Sequence, residues 1–361
     1  MFLQAETTFG LNLLKTLPAN ESLVFSPLSI ALVLSLVHSG AKGKSREQIG
    51  DALLNGASDD QFNSHFQFIS ETLRKGENGV KVNVANKVFV GKDFKVKPDY
   101  LTTVKKNFNT GAENVNFASP EAVKSINNFV KSATENKIDN LVTQDSLKDA
   151  VALLINAIYF KGDWDEEFEG MSTRPENFNQ VSGKVQKIPF MHDYRTDRVY
   201  GSDDLFHVAI LDYKDPKYRF AIFVPKVKNG LAGALKKFDS ARFQKLLSTA
   251  KRTYMNTFIP KFTVEKQVPL KNTLIKLGIT DIFSDSADLS GIADHLKISD
   301  GAHKAIIEVN EKGTVAAAAT SVKAVPMMLR MDEPIDFRAD HPFLFALVHE
   351  SHPLFLGVFH G

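Results

Sequence analysis

The 361-residue chain is 43% hydrophobic and 24% charged with a formal net charge of +2, which allows a sizeable globular core and gives no reason to expect nucleic acid or an anionic membrane as a partner. It has no cysteine, so disulfides, thiol nucleophiles and thiolate metal sites are excluded. Its 28 phenylalanines point to a largely aromatic core.

The first stretch, MFLQAETTFGLNLLKTLPAN, sets Phe9, Leu13, Leu14 and Leu17 at helical spacing. It lacks the basic start and unbroken apolar region of a secretory signal, and no apolar run reaches the roughly 18 residues of a membrane span. A cytoplasmic protein is the expectation, which the missing cysteines fit; an extracellular one follows if a signal was trimmed before this numbering begins. Asn20-Glu21-Ser22 is a sequon, of consequence only in a secreted chain.

Residues 5–75 read as mostly helical. Asp59 and Asp60 precede QFNSHFQFISETL, whose Phe62, Phe66, Phe68, Ile69 and Leu73 are assigned to one face. VKVNVANKVFV (80–90) alternates like a strand, and the helix over 119–138 starts with Ser119 as N-cap and Pro120 at the first helical position. VALLINAIYF (151–160) is nearly continuous apolar sequence, as in a strand buried on both faces, and the amide of Asn156 in its middle must find partners there. RVYG, HVAILDY, YRFAIFVPK and TFIPKFTVEK read as further strands. VPLKNTLIKLGI (268–279) reads as a short helix, AIIEVNE (305–311) as a strand, and PFLFALVH and PLFLGVF as a hairpin around ESHP. Helices dominate the first part and strands the rest, without regular βαβ alternation, so the fold class is α+β. No linker or internal repeat divides the chain, and one domain over 1–361 is expected.

Motifs for chemistry are wanting. GAKGKS (40–45) has His38 where a phosphate-binding loop needs glycine, and no GxSxG or GxGxxG occurs. HESH (349–352) brings His349 and His352 close in sequence, but a zinc site needs more ligands and an open position, so it reads as a polar turn. KRTY (251–254) reads as a solvated strand edge. No enzyme activity, metal or cofactor is expected.

Several stretches, dispersed in order along the whole chain, resemble the serpins. They are VFSPLSIALVLSLVHSGAKGKSREQI (24–49), NAIYFKGDWDEEF (156–168), FIPKFTVEKQVPLKNTLIKLGITDIFSDSADLSGI (258–292), HKAIIEVNEKGTVAAAAT (303–320) and ADHPFLFALVHESHPLFLGVF (339–359). The resemblance implies three β-sheets, about nine helices and an exposed reactive-centre loop, here about 313–334. It also implies suicide inhibition of a serine protease: the enzyme cleaves the loop, becomes acylated on it, and is trapped when the hinge inserts as a new strand in the large sheet. Non-inhibitory members act as binding or chaperone proteins, and some inhibitory members take papain-like cysteine proteases.

The hinge segment EKGTVAAAATS (311–321) suits such insertion. Gly313 supplies a flexible start. Paired as a strand, Thr314, Ala316, Ala318 and Thr320 face the core, while Val315, Ala317 and Ala319 face outward. No inward side chain exceeds threonine, and no proline interrupts 313–325, so every hinge N–H can join a ladder. The other reading, an alanine-rich surface helix, is opposed by Gly313 and the threonines. Many inhibitory members carry an acidic or polar residue where Val315 stands, a departure whose outward direction makes it tolerable.

Family spacing counted from the hinge Glu311 places the bait residue at Met327 and the scissile bond at Met327–Met328. Methionine suits a deep apolar specificity pocket, so a chymotrypsin-like, cathepsin G-like or elastase-like enzyme is the expected partner, in a one-to-one covalent complex with a monomer. Met328, Leu329, Lys323 and Arg330 are fallback sites. The resemblance also assigns Ser26, Ser29, Asn156 and His303 to a polar cluster under the opening sheet, Trp164 to the place where the hinge first enters, and Lys261 to an ion pair with Glu311.

Overall fold

The computed structural model describes residues 2–18, 20–53, 56–74, 78–314 and 332–361. The apolar spacing of the first segment becomes helix α1 (Phe2–Thr16), which packs on α2 and the last strand. The helical N-terminal region is interrupted by a short strand, β1 (Leu23–Phe25). Then come α2 (Pro27–Gly40), α3 (Gly43–Leu53) and α4 (Asp59–Arg74). α2 begins with Ser26, whose hydroxyl accepts from the Ser29 N–H at the N-cap, and Pro27 occupies the first turn. Nearly every residue of α2 is buried, as expected of a helix that is apolar all round and runs through a core.

One assignment on α4 is corrected. Phe62, Phe66, Ile69 and Leu73 are buried, but Phe68 is 59% exposed. The four buried residues recur at steps of four, three and four, whereas Phe68 falls about a third of a turn away from their stripe.

β2 (Val80–Gly91), α5 (Pro98–Phe108), β3 (Ala112–Val115), α6 (Pro120–Ala133) and β4 (Ala152–Asp163) follow. Ser119 caps α6 with its hydroxyl on the Glu121 N–H, and Pro120 takes the first turn. The rest is β5 (Arg174–Asn179), β6 (Val185–Ser202), β7 (Phe206–Asp212), β8 (Tyr218–Pro225), α7 (Leu231–Lys237), α8 (Ser240–Thr249), β9 (Lys251–Pro260), β10 (Phe262–Pro269), α9 (Leu270–Lys276), β11 (Asp300–Asn310), β12 (Gly313–Thr314), β13 (Ile335–Arg338), β14 (Phe343–His349) and β15 (His352–Phe359). TFIPKFTVEK is thus two strands, broken at Lys261, whose N–H turns to the Pro189 carbonyl.

The strands form a six-stranded sheet in the order β10-β11-β12-β4-β2-β3 and a nine-stranded sheet, eight of whose strands run in the order β1-β15-β14-β8-β7-β6-β9-β13 while the ninth, β5, lies beside β6. The nine strands stay in one continuous sheet because β6 is 18 residues long and pairs with β5, β7 and β9 along its length. Nine α-helices lie among the described residues. This is the α+β class that the element pattern predicts, and among the described residues no helix is long and apolar enough to cross a membrane.

β4 shows why its sequence is apolar on both faces. Ala152, Leu154, Ile158 and Phe160 join the main core with α2. Leu153, Ile155, Ala157 and Tyr159 join a second core with Ala122, Ile126 and Val130 of α6. The sheet is therefore sandwiched, and Asn156 is the polar residue on the α2 side of its strand.

The C-terminal hairpin turns at Glu350 and Ser351, both at positive φ (47° and 74°), the backbone of a tight two-residue connection. Its flanking histidines are not the solvated residues of a polar turn. His349 is 1% exposed and His352 only partly exposed, because both sit on strands that run into the core.

Candidate functional site

In the six-stranded sheet, β4 and β11 pair directly and in parallel from Leu153–Asp300 to Tyr159–Ile306. Beyond that point they part. Gly313 and Thr314 enter the gap as β12, antiparallel to β11 through Asn310 and Val309 and antiparallel to β4 through Asp163 and Gly162. The sheet is thus a seam, closed at one end and wedged open at the other by two residues of the hinge segment.

The closed end is held by polar groups. Asn86, Asn156 and His303 stand in one row across β2, β4 and β11. His303 is fully buried, which pushes its pKa down to about 3 and keeps the ring neutral. Its Nε2 accepts the Ser26 N–H at 3.0 Å, so the ring proton is on Nδ1 and is donated to Asn156 Oδ1. Asn156 Nδ2 donates to the Ser29 carbonyl at 2.9 Å, to Ser29 Oγ at 2.5 Å and to Asn86 Oδ1, three acceptors for two hydrogens. α2 therefore sits with its capped N-terminus under the seam, and Ser26, Ser29, Asn156 and His303 are brought together as one buried network.

At the open end, Trp164 is 1% exposed and fastens the turn before β12. Its backbone N–H donates to the Lys312 carbonyl at 2.8 Å, and its indole N–H donates to the Asn310 carbonyl at 2.9 Å. Trp164 stacks on Tyr213, with centroids 4.5 Å apart and planes inclined by 27°. The Tyr213 hydroxyl is 2.7 Å from Thr314 Oγ1, and burial raises its pKa well above the ordinary value. Thr314 is fully buried and faces the core side. Gly313 has φ +155°, and a Cβ there would lie 2.0 Å from the Gly162 carbonyl oxygen, so only glycine fits between the strands.

Glu311 closes the turn. Its carboxylate takes Lys261 Nζ at 3.0 Å and the Thr173 hydroxyl at 2.8 Å, while its carbonyl accepts the Phe168 N–H at 2.8 Å. Burial works to raise its pKa, and its own backbone N–H, Lys261 and Thr173 outweigh that and leave it below the ordinary carboxylate value.

Ala316, Ala317, Ala318, Ala319 and Thr320 of the hinge, and Met327 and Met328 of the reactive bond, lie outside the described residues. Asn86, Tyr213, Thr173 and Gly162 touch the site and went unnoticed in the sequence. Asn86 could have been found from VKVNVANKVFV, where it is a polar residue on the face that α2 covers. No local signal marks Tyr213, which directly follows the ordinary apolar strand β7.

The serpin (serine protease inhibitor) family model matches residues 4–360. Iripin-2 of Ixodes ricinus is 34% identical over 359 residues, 95% of this chain and 89% of that protein. Antichymotrypsin-2 of Bombyx mori is 32% identical over 350 residues, 94% of this chain and 92% of that protein. Among solved structures, the native state of the thermophilic serpin tengpin superposes with a TM-score of 0.92 at 28% identity, covering 100% of this chain and 94% of its own. The match over nearly the whole length, in fold and in sequence, places the chain in the serpin family.

Proposed function

We propose that this protein is a suicide-substrate inhibitor of a chymotrypsin-like serine protease, with Met327–Met328 as its reactive bond. The observation that carries the reading is the wedge: Gly313 and Thr314 already pair with both β4 and β11 at the open end of a seam that is closed below. In this reading the protease serine attacks the Met327 carbonyl carbon, the Met327–Met328 peptide bond breaks, and the Met328 amine leaves with a proton from the enzyme's general acid. The enzyme is then an ester on Met327. Residues 315 onward continue β12 down the seam, replacing the parallel β4–β11 contact with two antiparallel ladders, the slightly more stable pairing per residue. The tethered enzyme is carried along, and its active site is distorted before water can hydrolyse the ester.

Two features support insertion through this seam. The sequence 316–320 holds only alanine and threonine, small enough to pass between α2 and α6. Among the apolar pairs that close the seam lies a hydrogen-bonded network of Ser26, Ser29, Asn86, Asn156 and His303, whose partners can be exchanged when the strands part. The apolar side chain of Met327 supports the target class, and so does the name of the Bombyx mori relative, antichymotrypsin-2.

The test is incubation with chymotrypsin, cathepsin G and a leukocyte-type elastase, followed by denaturing electrophoresis and sequencing of the released C-terminal fragment. An SDS-stable one-to-one complex and a fragment starting at Met328 are expected. Cleavage by every enzyme tried without a stable complex would overturn the inhibitory reading, and a fragment starting elsewhere would move the bait residue.

A further inference from the structure

A buried carboxylate lies far from the seam with two imidazoles turned toward it. Glu6, on the inner side of α1, is 3% exposed. His65 of α4 sets Nε2 2.6 Å from Glu6 Oε1, and His352, the first residue of β15, sets Nδ1 against Glu6 Oε2. One ligand atom from each residue lies within 4.8 Å of the other two. We propose that Glu6, His65 and His352 form a binding site for one divalent zinc-type ion that clamps α1 and α4 to the C-terminal hairpin.

Three physical points carry this. First, a buried carboxylate needs compensating positive charge, and the two imidazole nitrogens set against Glu6 are donors that a cation beside it can bind. An ion at their common focus supplies it. Second, the donor set fits: two imidazole nitrogens and one carboxylate oxygen can each approach a zinc ion at about 2.0–2.2 Å, and this set leaves a fourth position for water. His65 and His352 are 15% and 17% exposed, which gives the ion and its water a way in. A hard ion such as Mg²⁺ prefers an all-oxygen octahedron and is disfavoured here.

Third, the ligands are held in place. The His65 ring stacks on Phe2 with centroids 4.2 Å apart and planes 7° apart, and it meets Phe66 edge-on. The hairpin turn that presents His352 is tied by Gln244 of α8, whose amide donates both to Thr7 Oγ1 of α1 and to the Ser351 carbonyl. Ligands fixed on helices and a tied turn lose little freedom when the ion arrives. Because the sequence separation from Glu6 to His352 is 346 residues, the ion would join the two ends of the chain and favour the folded state through mass action.

The test is titration of the full chain with ZnCl₂, followed by calorimetry and by thermal melting, with MgCl₂ in parallel. One zinc per chain is expected, with a rise in melting temperature of about 3 °C at roughly hundredfold excess over Kd, and no such rise with Mg²⁺. His65→Gln and His352→Gln keep a donor for Glu6 but lose the imidazole, and each should weaken zinc binding by at least about tenfold. No saturable uptake, or uptake unchanged in both variants, overturns the site. An anomalous difference map at the zinc edge gives a second measurement on the unaltered protein: a peak among the three side chains upholds the proposal, and a peak only elsewhere overturns it.

Discussion

His303 and Asn156 are partners in register across the β4–β11 seam, and the neutral His303 ring donates its Nδ1 proton to the Asn156 side chain while its Nε2 accepts the Ser26 N–H. Strand, strand and helix are thereby held by one ring. His303→Ala leaves the Ser26 N–H and Asn156 Oδ1 without that partner in a buried place, at about 1–3 kcal/mol for each group left unsatisfied. The expected outcome is a lower melting temperature and faster self-association on mild heating, because an opened seam presents two strand edges to a second molecule. Calorimetry and size-exclusion chromatography after heating check both, and unchanged values in each would remove His303 from the closure.

The same ring gives a pH dependence. Burial lowers the His303 pKa from 6.5 to about 3, so between these values the unfolded chain binds a proton that the folded chain does not. Stability from this residue is fully present above pH 6.5 and falls as the pH drops toward 3, by about 1.4 kcal/mol per pH unit within that window. Carboxylates titrate in the lower part of the range, so the useful quantity is the difference between the native protein and His303→Gln, which has no titrating ring. Denaturant melts from pH 7 to pH 4 should show a steeper loss for the native protein; parallel curves would contradict the assignment.

Gly313 makes a third prediction. Its φ of +155° is a conformation essentially reserved for glycine, and a Cβ would meet the Gly162 carbonyl at 2.0 Å. Gly313→Ala should therefore displace β12 from the seam and destabilise the native state by about 1–3 kcal/mol. If the proposed mechanism is right, the protein also forms less covalent complex per bond cleaved. A variant with wild-type melting and wild-type complex yield would show that the wedge does not matter.

What could be read in the sequence was periodic or locally encoded. The Ser119-Pro120 start of α6, the two-faced strand around Asn156 and the hairpin before the C-terminus follow from patterns within some twenty residues. Phe68 was misplaced because five apolar residues in one helix exceed the width of a single stripe, and TFIPKFTVEK ran together because nothing in its alternation marks a change of sheet. The contacts that make the site are another matter. Thr314 meets Tyr213 across 101 residues, Asn156 meets Asn86 across 70, and Glu6 meets His352 across 346. Such pairings are set by sheet order, and no spacing rule reports them. The hinge and the polar cluster are reached through family resemblance, and HESH reads as a turn because it holds only one residue of the proposed cluster, His352, while Glu6 and His65 lie on other elements.

Thr314 is where packing and proposed mechanism meet most directly. Its side chain is fully buried, its hydroxyl lies 2.7 Å from the Tyr213 hydroxyl, and Tyr213 is stacked on Trp164. Arginine at this position has no room on the core side, and burying its charge without a partner costs several kcal/mol. Thr314→Arg should push the start of the hinge out of the seam without altering residues 327 and 328, so the protease still cleaves the loop. Insertion then lags behind hydrolysis of the acyl-enzyme, and the inhibitor becomes a substrate. The measurement is the ratio of covalent complex to cleaved protein on a denaturing gel, together with the stoichiometry of inhibition. Both should move toward cleavage by at least about tenfold, since a barrier higher by 1.4 kcal/mol already slows insertion by that factor. Full inhibition retained by this variant would mean that the trapped enzyme is not carried through the β4–β11 seam.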